Sequence, residues 1–251
     1  MIPMGSSDPD KVVGESYAGV YLAATRDAAA AGLVETAFTG FVGPQEGDWV
    51  LAVATNARGT VAAGKRTIDT LARDLAADLG AVAIAVEVDR DKRLRLWAYE
   101  SGERIGSFDS APEDDEELAV GQIPLDEFGD PLPEAMLALG GSGAQSAAEL
   151  VRVCVGPGAP DDEESDPAED IEELLDEELT ESESESDRLR SVLRLLTLPT
   201  WLIASTSLPK DVPGGPRAGQ VLHLRAGRTG VAGLTLGALS ERTRRKFKPD
   251  A

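Results

Sequence analysis

The sequence predicts an α+β protein: an antiparallel or mixed sheet meander with packed helices, interrupted by a disordered acidic insertion. Three observations carry that class. An apolar strand at Trp49–Thr55 is followed by an amphipathic helix over Arg66–Leu79. Three alternating segments then follow in close order, Ala81–Val88, Arg93–Tyr99 and Arg104–Phe108, joined by short turns. Later, Asp161–Asp187 holds sixteen carboxylates and no Lys or Arg.

Residues 1–14 read as a disordered leader, dominated by Pro, Gly, Ser and Asp without periodicity. Ser16–Ala23 alternates as a strand, and Arg26–Gly32 reads as a short helix stopped by its glycine. Leu33–Val42 suits a second short strand, and Gly43–Asp48 a turn. In Arg66–Leu79, Ile68, Leu71, Ala72, Leu75, Ala76 and Leu79 fall at helical spacing, and Gly80 supplies the stop. Asp89–Lys92 joins the next two strands as a hairpin, and Ser101–Glu103 turns into the third. The order strand–helix–strand–strand–strand is an α+β pattern rather than a repeated βαβ series.

Beyond it, acidic Glu113–Glu117 opens a helix or loop, and Pro133–Leu139 and Ala144–Val153 read as short helices around a Gly-rich turn. In the acidic tract Ile171, Leu174, Leu175 and Leu179 are too few to offset the cost of ordering the chain. Asp187–Leu196 is an amphipathic helix with Leu189, Val192, Leu193 and Leu196 on one face, and Thr200–Ser207 and Gln220–Arg225 suit strands. The segment after the tract has too few elements for a core of its own. The expected organisation is therefore a leader (1–14), an α+β domain (15–160), the acidic insertion (161–187), a C-terminal helix and strands completing the same domain (188–240), and a basic tail (241–251).

Composition narrows the function. The net charge of −21 opposes general nucleic-acid binding, which relies on Lys and Arg neutralising phosphates. Cys154 is the single cysteine, so the chain forms no internal disulfide and no Cys-based zinc site. Met1–Asp10 has no basic stretch leading into an apolar run, and no apolar stretch approaches the ~20 residues of a membrane span. A cytoplasmic protein without membrane contact is expected. Abundant Ala, Gly, Arg, Asp and Glu beside rare Asn, Lys and Ile match the bias of a GC-rich bacterial genome.

The sharpest motif is Gly59-Thr-Val-Ala-Ala-Gly64-Lys65-Arg66-Thr67, placed between a strand and a helix as a phosphate-binding loop would be. Such a loop needs a hydroxyl directly after its lysine. Here Arg66 takes that place and Thr67 is displaced by one residue, about 100° around a helix. Nucleotide binding through Gly59, Gly64, Lys65 and Thr67 is thus an alternative reading. Gly140–Gly143 lacks the closing glycine of a serine-nucleophile elbow, because position 144 is alanine. His223, the only histidine, shares a strand face with Val221 and Arg225 and has no specified partner. No catalytic residue, cofactor or metal site is expected. The tail Arg242–Lys248 is a basic cluster suited to pairing with the acidic tract. Arg93, Arg95, Trp97 and Tyr99 share one face of a strand, a combination that suits a protein-binding surface.

Gly47-Asp-Trp49-Val-Leu-Ala-Val, the helix end Leu79-Gly80, Ala81–Val88, Leu96-Trp-Ala-Tyr-Glu-Ser-Gly102 and Phe108-Asp-Ser-Ala-Pro112 together resemble a group of small uncharacterised bacterial α+β proteins. Some of these are similar to immunity or conflict-system proteins. The resemblance spans residues 15–112 and implies architecture; it brings no catalytic residue with it. The expected function is a non-enzymatic bacterial protein-binding module, immunity-like or regulatory, whose acidic tract steers a partner with a basic surface. The alternatives are a nucleotide-binding protein or enzyme using Gly59–Thr67, and an acidic DNA mimic.

Overall fold

The computed structural model describes residues 14–111, 143–155, 166–177, 179–180 and 183–229. The leader up to residue 13, Glu113–Glu117, Pro133–Leu139, Gly140–Ser142 and the tail Arg242–Lys248 lie outside the described residues.

The first half of the chain runs β1 (Tyr17–Leu22), α1 (Arg26–Glu35), β2 (Gly40–Glu46), β3 (Trp49–Ala54), α2 (Ile68–Leu79), β4 (Val82–Asp89), β5 (Arg93–Glu100) and β6 (Glu103–Asp109). The second half supplies α3 (Gly143–Cys154), α4 (Pro167–Asp176), α5 (Glu185–Leu195), a 3₁₀ segment (Thr200–Ser207), β7 (Leu222–Arg225) and β8 (Arg228–Thr229). The strands form one eight-stranded sheet in the order β6-β5-β4-β1-β3-β2-β7-β8. Every neighbouring pair is antiparallel. The fold is α+β.

At its centre lies a pattern that linear reading misses. The run β1–α1–β2–β3–α2–β4, with strand order β4-β1-β3-β2, is the split βαβ arrangement. Both of its helices cover the same face of the sheet, which we call the front. There Leu33 of α1 and Leu71, Ala72, Leu75 and Ala76 of α2 pack on Ala18, Val20, Leu22, Ala52, Ala83 and Ala85. Small strand residues let the helices sit close. Gly32 serves the same end, because a Cβ there would come within 2.9 Å of Leu75. Thr25 caps α1 by accepting from the Ala28 amide at 3.3 Å, and Gly80 ends α2 in the left-handed conformation.

The back face carries the larger side chains Tyr17, Tyr21, Leu51, Ile84, Val86, Leu94 and Leu96. These are covered by α3, α4, α5 and the 3₁₀ segment through Leu150, Ile171, Leu175, Leu189, Val192, Trp201 and Leu202. The segments after the acidic tract therefore pack on this sheet and extend it, with β7 pairing to β2. At the opposite edge, the Ser146 hydroxyl of α3 accepts from the Ser107 amide (3.1 Å) and donates to the Ser107 carbonyl (2.9 Å). It satisfies groups on β6 that a further strand would otherwise take.

Several elements differ from expectation. α1 runs past Gly32 to Glu35, so the strand expected at Leu33–Val42 begins only at Gly40 and continues to Glu46, through part of the expected turn. Part of the acidic tract is helical: α4 starts at Asp166, whose carboxylate accepts from the Ala168 amide (2.9 Å), with Pro167 in the first turn. Glu169 and Asp170 complement the helix dipole there. Ile171 and Leu175, one helical turn apart, are buried. The cost of ordering these residues is met by docking onto the back layer rather than by an internal core. Thr200–Ser207 is a 3₁₀ segment, not a strand. Short apolar runs carry no decisive period, and this one lies across the sheet instead of along its edge. A Cβ on Gly19 would meet Leu202 within 2.8 Å, and one on Gly43 would meet Trp201 within 2.5 Å. Those two glycines make the close approach possible.

Candidate functional site

Where the 3₁₀ segment ends, the back of the sheet forms a cleft of about 760 Å³. The register builds its floor. Val53 of β3 faces Phe41 of β2, and Phe41 faces His223 of β7. The Phe41 and His223 rings stack with centroids 4.4 Å apart and planes at 19°. Ser205, Thr206, Leu208 and Pro209 form one wall, while Tyr17, Thr39, Thr55 and Arg225 complete the lining. Thr39 is fixed by accepting from the Ala226 amide (3.0 Å), and Thr206 donates to Glu15 (3.3 Å). Burial, and then the Arg225 charge, hold the His223 pKa below its ordinary value, so its imidazole is neutral near pH 7. Among the described residues, the Arg225 guanidinium makes no hydrogen bond or ion pair.

The four residues expected to bind protein do share one face of β5, the front. Their charges turn inward. Arg93 clasps Asp109 with two bonds of 2.7 and 2.6 Å, and Arg95 reaches Asp109 (3.2 Å) and Glu87 (3.4 Å). Burial raises the Glu87 carboxyl pKa even beside Arg95. Tyr99 is buried, with the Arg104 guanidinium 5.9 Å from its ring centre, and Trp97 packs half-buried on the front core. This face is knitted into the fold.

The Gly59–Thr67 loop joins β3 to α2 across an antiparallel sheet. Gly59 and Gly64 have φ of 75° and 73°. Two amides that would face a phosphate are occupied: Val61 donates to the Arg66 carbonyl (2.8 Å) and Ala63 to the Thr36 carbonyl (3.0 Å). Arg66 folds back onto Asp74 (2.7 Å) and the Ala63 carbonyl (2.7 Å). Lys65 is exposed, and Thr67 precedes α2 with its hydroxyl bonded to Asp69. Gly59, Gly64, Lys65 and Thr67 are not among the residues that line the cleft with His223 and Arg225.

A second surface is α4 itself. With Ile171 and Leu175 turned inward, Glu169, Glu173 and Asp176 are exposed at helical spacing. Cys154, at the end of α3, is partly buried, which pushes its thiol pKa up to about 12. Among the described residues no group of three or more His, Cys, Asp or Glu is placed to hold a metal, and no helix is long and apolar enough to cross a membrane.

The sequence places His223 and Arg225 on one face; it does not indicate that Phe41, Thr39 and Ser205 join them. Those residues lie on segments far apart in the chain, and no spacing rule links them. Compared with protein-family models, with curated proteins and with solved structures, the chain matches none.

Proposed function

We propose that this chain is a non-enzymatic, cytoplasmic protein-binding module, immunity-like or regulatory, that recognises a partner with a basic surface. The observation that supports this reading is α4, an acidic helix anchored by Ile171 and Leu175 with Glu169, Glu173 and Asp176 turned outward. Helical anchoring holds these charges at set spacings, so they act both at long range and on contact. The chain's net charge of −21 adds to the attraction and disfavours nucleic acid as the partner.

Affinity capture from the native host at low and high salt identifies the partner, and stopped-flow mixing then gives its association rate. Replacing Glu169 and Glu173 with Gln and Asp176 with Asn leaves the buried face of α4 untouched. The expected result is association slowed about tenfold at low salt with dissociation nearly unchanged, the mark of steering. Equal association rates for both proteins at low salt would refute the reading.

A further inference from the structure

The cleft on the back of the sheet has a chemistry separate from the acidic helix. Its volume of about 760 Å³ falls within the usual range for small-molecule sites. The floor is apolar and aromatic, and the stacked Phe41 and His223 rings both belong to its lining. The cationic group is Arg225, exposed at the rim and, among the described residues, unpaired. Two carboxylates touch the lining, and both are engaged: Glu15 accepts from the Thr206 hydroxyl and Asp89 from the Ser16 hydroxyl.

We propose that this cleft binds a small planar carboxylate, its ring against Phe41 and His223 and its carboxylate on Arg225. Each part of such a ligand meets a matching group. A planar ring packs favourably on an aromatic pair, offset on an outer face or edge-to-face. Guanidinium is the side chain best shaped to hold a carboxylate through two parallel bonds. The neutral imidazole adds no charge of its own, and the Thr55 and Ser205 hydroxyls lie within the lining for further hydrogen bonds. A volume of about 760 Å³ has room for a molecule the size of benzoate.

Because His223 is the only histidine, its ring gives a single reporter signal in the full-length chain. The experiment follows that signal by NMR in ¹³C-histidine-labelled protein while benzoate, or the uncharged benzamide, is added. The expected result is a saturable shift with benzoate and binding about tenfold weaker for benzamide, the loss of one charge-assisted contact. Arg225→Gln, a change at an exposed position, brings benzoate down to the benzamide level, and Phe41→Leu weakens both. Bound carboxylate also offsets the Arg225 charge and raises the His223 titration midpoint. No shift with benzoate, equal binding of the two compounds, or unchanged benzoate binding in Arg225→Gln would each overturn the proposal. Neutralising α4 leaves the benzoate response intact, so this site and the partner surface fail or stand separately.

Discussion

The two faces of the sheet are built by different means. The front is closed by helices from the same stretch of chain as its strands, and its core is mostly Ala, Val and Leu. The back is closed by segments that arrive from far along the sequence and are fastened by polar contacts. The Tyr17 hydroxyl meets the Ser186 hydroxyl at 2.7 Å across 169 positions. Tyr21 donates to the Pro199 carbonyl at 2.8 Å across 178. The Trp201 indole donates to Glu46 at 2.7 Å, and Asp91 accepts from the Ser186 amide at 2.9 Å. Apolar burial is non-directional, and it suffices where short connections already limit the choices. Segments with long tethers need directional bonds to select one docking geometry. Both sites on which function is proposed, the cleft and α4, lie on the back.

The strongest way to break this contrast is to remove a polar fastening whose partner is buried. Glu185 and Arg188 pair at 3.3 Å in α5, at 3% and 7% exposure, and Arg188 also donates to the Glu177 carbonyl at the end of α4. Glu185→Ala leaves that guanidinium without its countercharge and costs about 3–5 kcal/mol, measured by chemical denaturation. Replacing the pair together, Glu185→Leu with Arg188→Met, recovers most of the loss because no charge stays buried. In the single variant, amide exchange quickens in α4 and α5 well before α1 and α2. Equal acceleration on both faces would show that the two layers unfold as one unit and that the contrast has no energetic meaning.

The same division explains what could be read from the sequence. The helical stripe from Ile68 to Leu79 and the alternation of β4, β5 and β6 are visible because the residues that pack are close in the chain. Most elements of the split βαβ core are visible in the sequence, with β2 displaced toward α1; their order is not, because pairing of β1 with both β3 and β4 leaves no local mark. On the back, Ile171, Leu174 and Leu175 have helical spacing, but their carboxylate neighbours point to disorder unless a docking surface is known. For Arg93 and Arg95, strand alternation identifies the shared face and says nothing of Asp109 or Glu87 beside them. The cleft is half legible in the sequence: His223 and Arg225 share a face by spacing alone, whereas Phe41 reaches them only through the β2–β7 register.

A milder probe removes one directional bond and nothing else. Tyr21 is fully buried, and burial raises its phenol pKa well above the ordinary value, so its hydroxyl is a neutral donor throughout the physiological range. Tyr21→Phe keeps the ring and leaves the Pro199 carbonyl short of its donor, at a cost of about 1 kcal/mol in denaturant midpoint experiments. If the back layer depends on directional contacts, the loss is accompanied by faster exchange in α5 and the segment after it. A change below about 0.3 kcal/mol would assign that docking to apolar packing alone, within the scatter expected of independent surface changes.

The smallest effect lies in the cleft and depends on pH. Burial, and secondarily the Arg225 charge, lower the His223 pKa in the folded chain, so the unfolded chain binds a proton first as pH falls. The stability this group contributes is present above the ordinary histidine value and is lost as pH drops through the folded value. Between pH 7.5 and 5.5 the chain should therefore lose slightly more stability than a His223→Gln variant, which has nothing to titrate there. Arg225→Gln removes the secondary cause, and the His223 midpoint read by NMR moves part of the way back toward its ordinary value. If that midpoint does not move, the Arg225 guanidinium does not face the imidazole in solution. The back of the sheet would then keep its aromatic floor but lose the adjacent cation on which the carboxylate site depends.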